Sequence, residues 1–138
     1  MIQFFDNNFL TLDNKKLSEW LVKIAKNEGF VIQKLHYNFV DANKLYELNQ
    51  KYLNHDNDTD ILTFDYSVNN EISAEAYISC DALEENATIN NQSIESETLR
   101  LLSHALLHCF GHHDKSPDEK LFMRLKEEEC ISMFHVKQ

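Results

Sequence analysis

Apolar and polar residues recur along this chain with two different periods, and the switches between them mark out its elements. Residues 2–5, IQFF, form a short apolar and aromatic run expected to be an edge strand. Over residues 16–28, Leu17, Trp20, Leu21, Ile24 and Ala25 fall at helical spacings with lysines and glutamates between them, which predicts a helix with one inward face. Asp13 stands ahead of it as a cap, and Gly29 ends it. Residues 30–40 carry Val31, Leu35, Tyr37 and Phe39 in partial alternation and predict a strand. Asp41 then caps a second helix reaching about Leu53, whose buried face is expected to hold Leu45, Leu48 and Tyr52.

The polar run at 54–58 is expected to be a loop. Residues 59–66 set Ile61, Thr63 and Asp65 against Leu62, Phe64 and Tyr66, the period of a strand, and residues 73–80 offer another. Asn69, Asn70 and Glu71 between them suggest a hairpin. A short helix is expected over 81–91 and a stronger one over 94–111, where Leu99, Leu102, Leu106 and Leu107 supply an apolar stripe. Ser116, Pro117 and Glu119 form a helix start, with serine as cap, proline at the first helical position and glutamate closing a capping box. The last helix runs to about Phe134 and is expected to bury Leu121, Phe122, Leu125 and Ile131. The acidic pair Glu84–Glu85 and the run at 127–129 fit solvated helix faces.

Composition narrows the class. The 138 residues suit one compact domain spanning 1–138, and two glycines and one proline exclude collagenous, linker-like and proline-rich disordered chains. No apolar run approaches the roughly 20 residues a membrane helix needs, and the N-terminus lacks a signal-peptide pattern, so a cytoplasmic location is expected. Three cysteines without a CxxC argue for reduced thiols, with Cys80 and Cys109 in the core. Thirteen basic against 23 acidic residues give a net charge of −10, which opposes broad attraction to phosphate backbones, and Arg100 and Arg124 are the only arginines. A nucleic-acid function therefore needs a local basic patch or a bound cation.

The stretch SHALLHCFGHHD at 103–114 can hold one. His104 and His108, four residues apart on a helix, stand on one face with Cβ atoms about 5–6 Å apart, close enough to grip one cation. Gly111 can end the helix in the left-handed conformation and turn the chain back. A third ligand from that turn leaves a coordination position open to water. Asp114 has the spacing the turn favours, while His113 is the commoner zinc ligand type. His36 and His135 lie far from any cluster, and His112 is expected to be exposed or to support a ligand.

With these motifs in place, the chain resembles the YbeY rRNA maturation factors, metal-dependent endoribonucleases specific for single strands. Their signature H-G-x-L-H-L-x-G-Y-x-H is matched at His104, Leu107, His108, Gly111 and, in the third ligand place, Asp114. A second family motif resembles LNQKYLNHDNDTDILTF at 48–64, and a third resembles AEAYISCDALEENA at 74–87. The resemblance spans most of the chain in the same order. It implies an α+β fold, a small mixed sheet of about four strands with helices packed on it and the metal helix central. It also implies one zinc per chain, held by His104, His108 and Asp114 and acting through its bound water, with single-stranded rRNA or the small ribosomal subunit, and ribosome-associated proteins, as partners. The resemblance implies that Lys51, His55, Thr59 and Asp60 lie beside substrate, while the residues themselves also fit a solvated helix face at Lys51 and a loop-to-strand junction with backbone bonds at Thr59 and Asp60.

Two departures matter. Leu53 replaces the family arginine thought to face the scissile phosphate, leaving Lys44, Lys51 or His55 and the cation to supply positive field, and Ala105 replaces a glycine. A non-catalytic, metal-stabilised module bound to the ribosome is the alternative that Leu53 and the acidic charge favour. A small zinc peptidase is less consistent, because Ala105 stands where an H-E-x-x-H motif places its general base.

Overall fold

A computed structural model describes residues 1–6, 11–53 and 60–135, Leu53 by its backbone alone. The element order is β1 (Ile2–Phe5), α1 (Asn14–Asn27), β2 (Val31–Val40), α2 (Ala42–Leu53), β3 (Ile61–Asp65), β4 (Glu71–Ser79), α3 (Cys80–Ile89), α4 (Ile94–Cys109) and α5 (Pro117–His135). The sheet runs β1-β2-β4-β3, with β1–β2 and β2–β4 parallel and β3–β4 antiparallel. This is the expected mixed four-stranded α+β arrangement with β1 at an edge. The β3–β4 hairpin closes through a two-residue turn between Val68 and Glu71, where Asn69 takes a positive φ that asparagine tolerates.

The helix ends are fixed by the side chains named above. Asp13 accepts from the Lys15 amide, and Asp41 from the Lys44 amide at 2.8 Å. Ser116 and Glu119 exchange their bonds at 3.1 and 2.9 Å, and those bonds pull the Glu119 carboxyl below its ordinary value. Ser79 and Ser93 cap α3 and α4. With Ser79 as the cap, Cys80 opens α3 rather than closing β4, and it is half-buried against the core.

Strand register puts Leu35, Tyr37 and Phe39 of β2 on the same face as Ala74, Ala76 and Ile78 of β4. On that face they meet the inward residues of α1 and the leucines of α4, forming the main core. All five predicted α1 residues are buried. Tyr37 is wholly enclosed and donates its hydroxyl to the Leu102 carbonyl at 2.8 Å, so burial pushes its pKa well up and keeps it neutral. The opposite face of the sheet is covered by α2, over the buried Leu62 of β3. Helix α4 lies at the centre of this packing, as expected, touching β3, β4, α1, α3 and α5.

Two helix faces differ from the sequence expectation. On α2, Leu45 is buried with Asn49, Leu48 is half-buried, and Tyr52 is exposed, its ring edge resting on Phe64 at 6.0 Å. On α5, Leu121, Phe122 and Leu125 are 62%, 51% and 54% exposed, and Ile131 is only partly buried. The inward residues are Met123, Glu127, Cys130 and Phe134. Two anchors hold α5 in this rotation: the Trp20 indole donates to the Cys130 carbonyl at 2.7 Å and meets the Phe134 ring edge-on, and Glu127 enters the polar cluster described below. The acidic run at 127–129 is thus solvated at Glu128 and Glu129 but not at Glu127.

Candidate metal centre

Helix α4 carries His104 and His108 on one edge, one turn apart, with ring centroids 4.7 Å from each other. The helix stops at Cys109, and Gly111 follows at φ +102°. No atom crowds the place where a Cβ would sit on Gly111, so the need for glycine there comes from backbone conformation alone. Past it the His112 amide bonds back to the Leu107 carbonyl at 3.2 Å, and the chain doubles over the helix end. Asp114 consequently lies across from both imidazoles. Its Oδ2 is 3.4 Å from His104 Nε2 and its Oδ1 is 3.4 Å from His108 Nε2.

These ligand atoms lie within 4.8 Å of one another. Two donors bound to one zinc at about 2.0–2.1 Å with a tetrahedral angle stand roughly 3.4 Å apart. The spacing fits a single tetrahedral cation. Two imidazoles and one carboxylate suit a divalent transition-metal ion better than the hard cations magnesium and calcium. Burial, reinforced by the neighbouring His104, lowers the His108 pKa below its ordinary 6.5, which keeps that ring neutral and able to donate a lone pair at neutral pH.

The group opens onto a cavity of about 340 Å³ lined by His104, His108 and His113 together with Ile61, Thr63 and Asp65 of β3. Asp65 was not singled out from the sequence, although the alternation in β3 already placed it on one face with Ile61 and Thr63. Beside it, burial raises the Cys109 thiol to about 12, with Asp65 adding to the shift. Cys109 is therefore a neutral core side chain.

The other candidates fall elsewhere. His113 is exposed at the cavity rim and does not join the three-ligand group. His112 turns the other way, its Nε2 3.4 Å from Glu28 and its ring 5.6 Å from Phe122. His36 meets Phe5, and His135 meets Phe134. Lys51 lies over the Tyr52 ring on α2, and Lys44 is exposed on the same helix. Asp60, just ahead of β3, accepts from the Asn86 amide at 3.2 Å and approaches Arg100 at 3.6 Å. His55 and Thr59 lie outside the described residues, as does the side chain of Leu53.

Sequence reasoning missed Glu127 and Arg100. Glu127 Oε2 stands 2.5 Å from His104 Nδ1, and Arg100 joins Glu97, Glu127 and Asp60. Apart from Glu97, three residues before Arg100 on α4, these partners are far apart in sequence and leave no local spacing to read.

The family model for endoribonuclease YbeY matches residues 3–135. Over their whole lengths, the chain and the endoribonuclease YbeY of Flavobacterium johnsoniae are 43% identical. The protein of the same name from Flavobacterium psychrophilum is 39% identical over 100% of this chain and 99% of its own. That of Christiangramia forsetii is 37% identical over 99% and 96%. Among solved structures, the solution structure of a Thermotoga maritima protein superposes with a TM-score of 0.61 at 28% identity, covering 97% of this chain and 89% of that one.

Proposed function

The chain belongs to the YbeY endoribonuclease family, a group of metal-dependent hydrolases, and on that premise we propose that it is a zinc-dependent endoribonuclease cutting single-stranded RNA in rRNA maturation and ribosome quality control. It would act in the cytoplasm as a single metallohydrolase domain over 1–138, with single-stranded rRNA or the small ribosomal subunit, and ribosome-associated proteins, as partners. The observation that carries this reading is the convergence of His104, His108 and Asp114 on one point facing the cavity. In the proposal these three residues hold one zinc per chain, and His113 stays at the rim.

Zinc held by three protein ligands supplies Lewis acidity and acidifies water at its open position toward a pKa of roughly 7. The protein's part is to orient and to admit. His108, kept neutral by burial, and His104, backed by Glu127, present their Nε2 atoms to one point, while Asp114 adds the negative charge that complements a dication. Thr63 and Asp65 line the approach from β3, where their side chains can hydrogen-bond ribose hydroxyls. Substrate contacts are assigned to the segment before β3, at Lys51, His55, Thr59 and Asp60. Asp60 closes that segment with its carboxylate engaged by Asn86 and Arg100.

A dication also offers an answer to the net charge of −10, because it attracts phosphate locally where the overall field repels it. No helix among the described residues is long and apolar enough to cross a membrane. The binding-module alternative keeps one specific support, Leu53 in the family arginine's place. Cleavage of single-stranded RNA that stops on chelation, returns with zinc and is lost in His104→Ala supports the enzyme. RNA binding without cleavage in the zinc-loaded protein supports the module.

A further inference from the structure

Glu127 is 2% exposed, whereas its neighbours Glu128 and Glu129 are solvated. A carboxylate this enclosed persists only when its charge is paired and its oxygens are bonded. Both oxygens of Glu127 are engaged, and they face different partners. Oε2 stands 2.5 Å from Nδ1 of His104, and Oε1 stands 3.5 Å from Nη1 of Arg100. The same guanidinium grips Glu97 through Nε and Nη2, at 3.0 and 2.5 Å, and reaches Asp60 at 3.6 Å. One cation thus serves three carboxylates, from α4, from α5 and from the residue leading into β3. The cluster retains an excess of negative charge directly behind the metal group.

We infer that Glu127 is a positioning residue of the metal centre, held in place by Arg100, which fixes the tautomer and the ring orientation of His104 and thereby sets the affinity for zinc. The inference rests on the three-ligand reading above. An ionised carboxylate only accepts, so the proton of His104 stays on Nδ1 and the Nε2 lone pair is left facing Asp114. Without that acceptor the ring is free to carry its proton on either nitrogen and to turn. The bond to a carboxylate also makes the imidazole a better donor to a cation. Among the described residues no carboxylate stands behind His108 as Glu127 stands behind His104. Arg100 keeps the Glu127 carboxylate from rotating away and ties it to Asp60, at the end of the segment assigned to substrate.

The test uses the full chain as wild type, Glu127→Gln, Glu127→Ala and His104→Ala. Zinc affinity is measured by competition with a chromophoric chelator, beside the melting temperature of each metal-free protein. The amide oxygen of Gln can still accept from Nδ1 and the methyl of Ala cannot, so affinity is expected to fall about tenfold in Glu127→Gln and towards a hundredfold in Glu127→Ala. The melting temperature of the metal-free protein must not follow the same order. Zinc binding by both Glu127 variants within twofold of wild type, with His104→Ala deficient, overturns this inference and leaves the three-ligand site standing. Failure of the wild type itself to bind zinc overturns the site and the inference together. Should a Glu127 variant not fold, nitrogen-15 spectra of metal-free wild type above pH 8 decide: Nδ1 of His104 is expected to carry the proton, and a proton on Nε2 overturns the inference.

Discussion

The two sides of the metal group are built differently. On the α5 side His104 is 15% exposed and is backed by Glu127 and the arginine cluster, so its ring is fixed before any ion arrives. On the β3 side His108 is 33% exposed and faces the cavity shared with Thr63 and Asp65. One side anchors and the other admits. A site made this way spends its rigidity where no ligand exchange is needed and keeps its open face toward the cavity.

The largest effects break both sides at once. His104→Ala or His108→Ala leaves two ligands, and each is expected to lose stoichiometric zinc and more activity than the roughly 10–100-fold typical of an outer partner. Metal analysis after gel filtration with RNA cleavage in parallel checks this, and full zinc retention in either variant breaks the assignment. Next comes the third ligand. Asp114→Ala is expected to weaken zinc binding strongly and His113→Ala little, as read by chelator competition, and the reverse order would transfer the role to the cavity rim.

Leu53→Arg sharpens the open side. A guanidinium offers two parallel bonds to a phosphate, so RNA cleavage is expected to rise several-fold at low salt. The gain should shrink with added salt by a log–log slope of roughly −0.7 for one new contact to a single strand. Unchanged cleavage with an unchanged melt would show that the position does not face phosphate. The smallest effect is in pH. The folded pKa of His108 lies below the unfolded value near 6.5, so the unfolded chain binds more protons in between, and stability of the metal-free protein falls as pH drops through that window. His108→Gln should flatten this part of the profile in denaturant titrations across pH 5 to 7.5.

The grouping of His104, His108 and Asp114 was legible because the three lie within eleven residues of helix and turn, where spacing dictates geometry. Asp13, Asp41 and Ser116 were legible for the same reason, since a cap acts across three residues. The face of α1 could be read because its apolar residues occupy one side only. That of α5 could not. It carries apolar residues on both sides, and its true inward face includes a charged residue whose partner lies 23 positions away. With 127–129 read as a solvated face, Leu121, Phe122 and Leu125 are expected inside, whereas Met123, Glu127, Cys130 and Phe134 are the buried residues. Asp60, 40 residues before Arg100, and Asp65 at the cavity wall likewise depend on tertiary contacts.

X-ray absorption at the zinc edge of the loaded full chain reads whether two imidazoles and one carboxylate hold a single cation. Two imidazole nitrogens and oxygen donors are expected at about 2.0–2.1 Å, with no stoichiometric zinc left to observe in His104→Ala. Three imidazoles, a sulfur shell near 2.3 Å, or a spectrum unchanged by Asp114→Ala would contradict this ligand set.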